Sequence, residues 1–159
     1  MKYEMKVEGL AEISELLSEL EEQAEPVAAR ALYDGAGIVA DAITKRAEQI
    51  KTSTKSVRNG RRLPTPAEKE IVLKASAGIA RFDKNGTEIN TSIGYRNAGY
   101  ADLNGKTVPI PVIVNSINSG TSFMKAQPFI RAAATKAEPK ALQAMKAKVE
   151  SELEAITNK

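Results

Sequence analysis

The stretch Ile79-Ala80-Arg81-Phe82-Asp83-Lys84-Asn85-Gly86-Thr87-Glu88-Ile89-Asn90-Thr91-Ser92-Ile93-Gly94-Tyr95 decides the fold of this chain. Asn85-Gly86 at its centre is a two-residue hairpin signal, because both residue types accept the positive φ of a type I′ turn. The flanks, Ile79 to Lys84 and Thr87 to Tyr95, read as the two strands, and the second places Ile89, Thr91, Ile93 and Tyr95 on one face. A further strand is expected at the N-terminus, where Tyr3, Met5 and Val7 alternate with Lys2, Glu4, Lys6 and Glu8 before Gly9 ends the pattern.

Outside this sheet the apolar period is helical. Leu10, Ile13, Leu16, Leu17, Leu20 and Ala24 share one helix face, with Glu12, Glu15, Glu19 and Glu22 opposite. Pro26 suits the first turn of a second helix, where a missing amide leaves nothing unpaired. In that second helix Leu32, Ala36, Val39, Ile43, Ala47 and Ile50 step by three or four, a rod of roughly 37 Å. Gly35 and Gly37 within it predict close approach of another element or a local bend.

Thr65-Pro66-Ala67-Glu68 has the form of a capping box and predicts a short helix through Lys74. After a Gly- and Asn-containing link from Tyr100 to Lys106, Pro109 and Pro111 exclude a central strand. Val112 to Asn118 reads as a short helix ending at Gly120. Pro128 opens a further helical segment, Pro139 predicts a kink or break in it, and Leu142, Met145, Val149, Leu153 and Ile156 form an apolar stripe beyond. The expected fold is α+β in a single domain, residues 1–159. A small antiparallel sheet built on the central hairpin is packed by a long N-terminal helix pair and a C-terminal helix.

Composition closes off most chemistry. The chain has no histidine and no cysteine, so it offers no imidazole base, no thiolate nucleophile, no disulfide and no ordinary zinc site. Carboxylates such as Glu15, Glu19 and Glu22 lie on a solvated helix face and form no acid/base dyad. Lys51-Thr52-Ser53 superficially matches the end of a phosphate loop, but Arg46 to Ile50 contains no glycine at the required spacing. No enzyme and no cofactor are expected.

With three Phe, four Tyr and no Trp, the core must come from Ala, Ile, Leu and Val. No apolar run is long enough to span a bilayer and the N-terminus lacks a signal-peptide core, so the chain is expected to be made and kept in solution. Asn90-Thr91-Ser92 matches a glycosylation sequon, which without a secretory signal is read as chance.

The net charge of +3 is small, but its distribution is uneven. Lys51, Lys55, Arg58, Arg61 and Arg62 fall between Gln49 and Glu68 with no acidic residue among them. These five are the candidate interface residues. The Lys51 to Thr65 segment holds two large apolar residues, Val57 and Leu63, against an ordering cost of roughly 1 to 2 kcal/mol per residue, so it is expected to be mobile in the isolated subunit and ordered by contact. As a nucleic-acid surface the segment lacks aromatic residues for stacking and any recognition motif. A small nucleic-acid-binding accessory protein is therefore the alternative reading, without specific recognition.

The most informative segment is Asn115-Ser116-Ile117-Asn118-Ser119-Gly120-Thr121-Ser122, followed by Lys125-Ala126-Gln127-Pro128-Phe129-Ile130-Arg131. A short helix stops at Gly120-Thr121-Ser122, a linker crosses, and Pro128-Phe129 opens a helix with an apolar anchor. This resembles the tailed-bacteriophage head-tail joining or tail-completion family, whose members carry a Gly-Thr-Ser turn shortly before Gln/Arg-Pro-Phe and a long C-terminal helix. Val7-Glu8-Gly9-Leu10, Ile93-Gly94-Tyr95 and Gly99-Tyr100 extend the resemblance over nearly the whole chain. Asn118 and Ser119 stand where many members have an acidic residue.

The resemblance implies a phage or prophage structural protein joining the head connector to the tail tube. It further implies a homo-oligomeric ring, a hexamer in the virion, with a head connector or stopper protein and a tail tube protein as partners and no membrane contact. Assembly would take place in the bacterial host cytoplasm and end in the virion neck. A ring needs one surface patch to meet a different patch on its neighbour. The acidic first helix and the basic segment are the two candidates.

Overall fold

In the computed structural model, which describes residues 3–6, 21–55, 60–86 and 88–157, the fold is α+β. Helix α1 (Glu21–Ala47) lies against helix α4 (Ile130–Thr157), and helices α2 (Pro66–Ala75) and α3 (Ile110–Ser119) pack beside them. Strands β1 (Tyr3–Lys6), β2 (Gly78–Ile79), β3 (Asp83–Asn85) and β4 (Glu88–Gly94) form one antiparallel sheet, and β5 (Tyr100–Leu103) pairs with β6 (Lys106–Pro109). Most of the expected first helix, residues 10–20, lies outside the described residues.

β4 is the centre of the sheet, with β1 on one edge and β2 and β3 on the other. Its expected alternation holds: Ile89, Thr91, Ile93 and Tyr95 are all buried, facing the core that α1 shares. The hairpin is displaced by one residue from the expected turn. Asn85 pairs with Glu88, so Gly86, at φ 63°, takes the first loop position and Asn85 ends the strand. Between the pairs Ile79–Ile93 and Asp83–Asn90, residues 80–82 stand opposite residues 91–92, one residue more on the outer strand. That bulge divides the edge into β2 and β3.

The Tyr100 to Lys106 link is a second hairpin. Asn104 and Gly105 take φ 55° and 76° between Leu103 and its partner Lys106, the two positive values of a type I′ turn. Pro109 is the last residue of β6, which pairs on one side only among the described residues, so a missing amide removes no bond from a central ladder.

All six positions of the expected α1 stripe, Leu32, Ala36, Val39, Ile43, Ala47 and Ile50, are buried. Pro26 lies inside α1 and Pro139 inside α4, where a first turn and a break were expected. Both prolines are exposed, on the outer faces of their helices. Of the expected α4 stripe, Met145 is buried and Val149, Leu153 and Ile156 are half-buried, so it departs at Leu142. Ala133, Ala134, Ala137, Ala141 and Met145 point inward, whereas Leu142 is exposed.

Small residues stand on that side because the two helices run antiparallel in close contact, with Ala28, Ala31, Ala36 and Ala40 of α1 in the same core. Arg30 and Glu152 tie the far end by a bidentate pair at 2.8 and 3.1 Å. Tyr95 closes the other side, its hydroxyl buried without a well-formed hydrogen bond. Burial pushes its pKa up to about 12.

The two α1 glycines separate in role. A Cβ on Gly35 would fall 2.5 Å from Met145 Cγ and 3.3 Å from the Ala141 carbonyl, whereas one on Gly37 meets nothing within 4 Å. Gly35→Val should destabilise the protein by about 1–3 kcal/mol through overpacking. Gly37→Ala should stabilise it by about 0.5–1 kcal/mol through helix propensity. Denaturant unfolding of both variants checks this, and an equal shift in the same direction would contradict the assignment.

Candidate functional site

The motif residues converge on one structure, a clasp formed by residues 120–129 at the C-terminal end of α1. Helix α3 stops at Gly120, whose φ of 75° reverses the chain. A Cβ there would sit 2.8 Å from the Ala126 nitrogen, so backbone fills the space that any other side chain would need. Thr121 closes the turn: its N–H donates to the Met124 carbonyl at 3.0 Å, and its Oγ1 accepts from Phe123 N–H at 3.1 Å and Met124 N–H at 3.0 Å.

The clasp then grips the two described ends of the basic segment. Arg62 N–H donates to the Phe123 carbonyl at 2.7 Å and Lys125 N–H to the Arg62 carbonyl at 2.9 Å, a parallel bridge between Arg62 and Met124. The Gln127 side chain reads both backbone groups of Lys51: Oε1 accepts from its N–H and Nε2 donates to its carbonyl, each at 2.9 Å. Gln127 N–H donates to the Ile117 carbonyl at 2.7 Å, and buried Asn118 Oδ1 accepts from Ile130 N–H at 3.2 Å, capping the start of α4. Phe129 is buried edge-to-face against Tyr95, with ring centroids 6.2 Å apart. Ser122 and Pro128 are exposed.

Of the five candidate interface cations, Lys51, Lys55 and Arg61 are exposed, and Arg58 lies outside the described residues. Arg62 is an internal tie. Its guanidinium donates to both Glu68 oxygens at 2.7 and 2.6 Å, and Glu68 Oε2 also accepts from Thr65 N–H at 2.7 Å within the expected capping box. Burial by itself raises the Glu68 pKa, but the Arg62 and Thr65 hydrogen bonds outweigh it and hold the carboxyl below its ordinary value. The expectation of a mobile Lys51–Thr65 segment therefore meets two pinned ends, since Ser53 N–H also donates to the Pro64 carbonyl at 2.9 Å. Residues 56–59 lie outside the described residues.

A cleft of about 610 Å³ lies beside the clasp, bounded by Ile79, Ile93, Tyr95, Arg96, Asn115 and Ile130. Its ionisable groups are Tyr95 and Arg96, which form no acid/base pair at neutral pH. Among the described residues no group of three or more acidic side chains is placed to hold a metal ion, and no helix is long and apolar enough to cross a membrane. Sequence reading missed Asn118, Met124 and Phe123. Asn118 is a polar residue on the inner face of α3, and Phe123 is placed beside the basic segment only by a long-range bridge. Gln127 had a signal, its place in the motif, but no assigned role.

Comparison with family models, curated proteins and solved structures returned no match to the chain.

Two substitutions test the clasp. Gly120→Ala should cost about 1–3 kcal/mol, because it combines a strained φ with a backbone collision; unchanged thermal unfolding would contradict the geometry. Glu68→Gln should cost about 1–3 kcal/mol at neutral pH by leaving Arg62 without its charged partner. The folded-state pKa of Glu68 lies below its unfolded value. Its contribution is therefore full above about pH 4.3, the ordinary glutamate pKa, and is lost as pH falls through the folded value. The stability gap between wild type and Glu68→Gln should narrow in acid, and a gap constant from neutral pH to pH 2 would contradict the pairing.

Proposed function

We propose that this protein is a structural subunit of a tailed phage or prophage, joining the head connector to the tail tube as a member of a homo-oligomeric ring. The observation that carries the reading is the state of its large surface side chains. Tyr100 is 72% exposed and Val112 53%, and each sits on an element held by hydrogen bonds or helix structure. Rigidly mounted apolar side chains in water are what a subunit offers to neighbours. Tyr33 and Phe82 add an edge-to-face pair on another part of the surface.

The clasp supports the same reading. Gly120, Thr121 and Phe129 hold chain segments together, and Pro128 precedes the start of α4, so the residues that carry the family resemblance act as construction rather than chemistry. The proposed partners are further copies of this chain, a head connector or stopper protein and a tail tube protein, in the virion neck. Lys51, Lys55, Arg58 and Arg61 remain candidate contact cations. Arg62 is withdrawn from that group because its charge is matched by Glu68.

The test is mass photometry and negative-stain microscopy of the purified protein, alone and with the connector and tail tube proteins from the same prophage. A closed ring or a defined complex is expected. Tyr100→Ser with Val112→Ser should abolish it while leaving the unfolding curve in place. A monomer under all conditions that binds neither partner would defeat the proposal.

A further inference from the structure

We infer that the outward face of the clasp binds single-stranded nucleic acid, with phosphates against its cations and an unstacked base against the ring of Phe123. The Arg62–Met124 bridge sets the directions. Met124 is buried and the Arg62 guanidinium turns in to Glu68, while their neighbours Arg61, Phe123 and Lys125 are exposed. The alternation of a paired strand accounts for this, since adjacent residues face opposite sides. Phe123 is therefore presented in register beside Arg61, a cation far from it in the chain, with Lys125 two residues on.

The ring is mounted rather than loose. Phe123 N–H is held by Thr121 Oγ1 and its carbonyl by Arg62 N–H, so contact would cost little backbone order. The electrostatic setting is one-sided. No Asp or Glu occurs from Gln49 to Ala67 or from Leu103 to Ala137, and the clasp joins these two stretches. Among the described residues, the carboxylate bonded to the clasp, Glu68, is matched to Arg62. Lys51, Lys55, Arg61 and Lys125 are exposed and form no ion pair among the described residues.

A partner fitting this face must bring several negative charges and a planar apolar face together. Nucleic acid does so, and a single strand does so better than a duplex, whose base faces are already stacked. An acidic protein surface would match the cations but would give the ring no planar partner. Phosphate contacts and stacking on one ring carry no base-edge readout, so binding is independent of sequence. The inference does not rest on the ring reading, and the free subunit is the species to titrate.

The experiment is fluorescence anisotropy with a labelled oligothymidylate of about 20 nucleotides, long enough to cover such a site, at low and physiological salt. Binding should weaken with salt and should be tighter than to a duplex of equal length. Phe123→Ala should weaken it roughly 5- to 150-fold, the loss expected of one stacked base, with unchanged unfolding. Arg61→Gln with Lys125→Gln should weaken it and lower the salt slope by about two contacts. Lys140→Gln with Lys146→Gln, an equal loss of charge on α4, should have little effect.

No binding at low salt overturns the inference, as does wild-type affinity in Phe123→Ala, duplex binding as tight as single-strand binding, or an equal effect of the α4 control. Displacement by polyglutamate as effective as by unlabelled oligothymidylate overturns it in favour of an acidic protein partner.

Discussion

The close approach of α1 and α4 is the constraint on which the rest of the structure depends. Two helices of about 40 Å each, at 1.5 Å per residue, meet through alanines and one glycine. With few aromatic side chains to fill a wide gap, the helices must come near to exclude water, and only small residues let them. Met145 over Gly35 shows how tight the fit is, since the missing Cβ is the space the thioether occupies. The sheet then needs to cover only one side of this seam, and a single well-paired strand, β4, is enough to carry its buried face.

Such a seam leaves its ends as the difficult places, because backbone groups there have no helix or ladder to join. The clasp answers that need at the C-terminal end of α1. Lys51 leaves the helix with both its backbone groups bonded to Gln127, α4 begins on Asn118, and the bridge at Arg62 gives two more backbone groups partners. Three stretches of chain distant in sequence are joined by polar contacts at hydrogen-bonding distance. Buried Asn118 sits on the inner face of a helix otherwise lined by Ile113, Val114 and Ile117, and its bond to Ile130 offsets what burial of an amide would cost.

Local and periodic signals were legible. The α1 stripe, the Thr65–Glu68 capping box, the alternation of β4 and the stop of α3 at Gly120 each depend on residues within a few positions of one another. The Asn104-Gly105 turn carries the same signal as the first hairpin, but Pro109 is compatible only with an edge strand, and whether such a strand forms depends on its partner. It was not legible that Gly35 and Gly37 differ, that α4 turns alanines inward past Leu142, or that Pro26 and Pro139 would be carried within helices. Each depends on which face meets a neighbour. The one-residue displacement of the Asn85–Gly86 hairpin is likewise a matter of register, set by the pairing of β3 with β4.

Charge is where local reading falls furthest short. Five cations within a dozen residues look equivalent in sequence, yet Arg62 is matched to a buried carboxylate and belongs to the fold, while Lys51, Lys55 and Arg61 face water. The distinction follows from direction: Arg62 turns in to Glu68 beside its bridge to Met124, while the residue before it, Arg61, faces out. The same rule presents Phe123 beside Arg61, giving the basic segment an aromatic ring that its own residues do not supply. Removing Arg62 would loosen the fold and displace that surface with it. The surface cations can be changed without that cost, so a charge is assigned to fold or to contact by its partner and not by its place in a run.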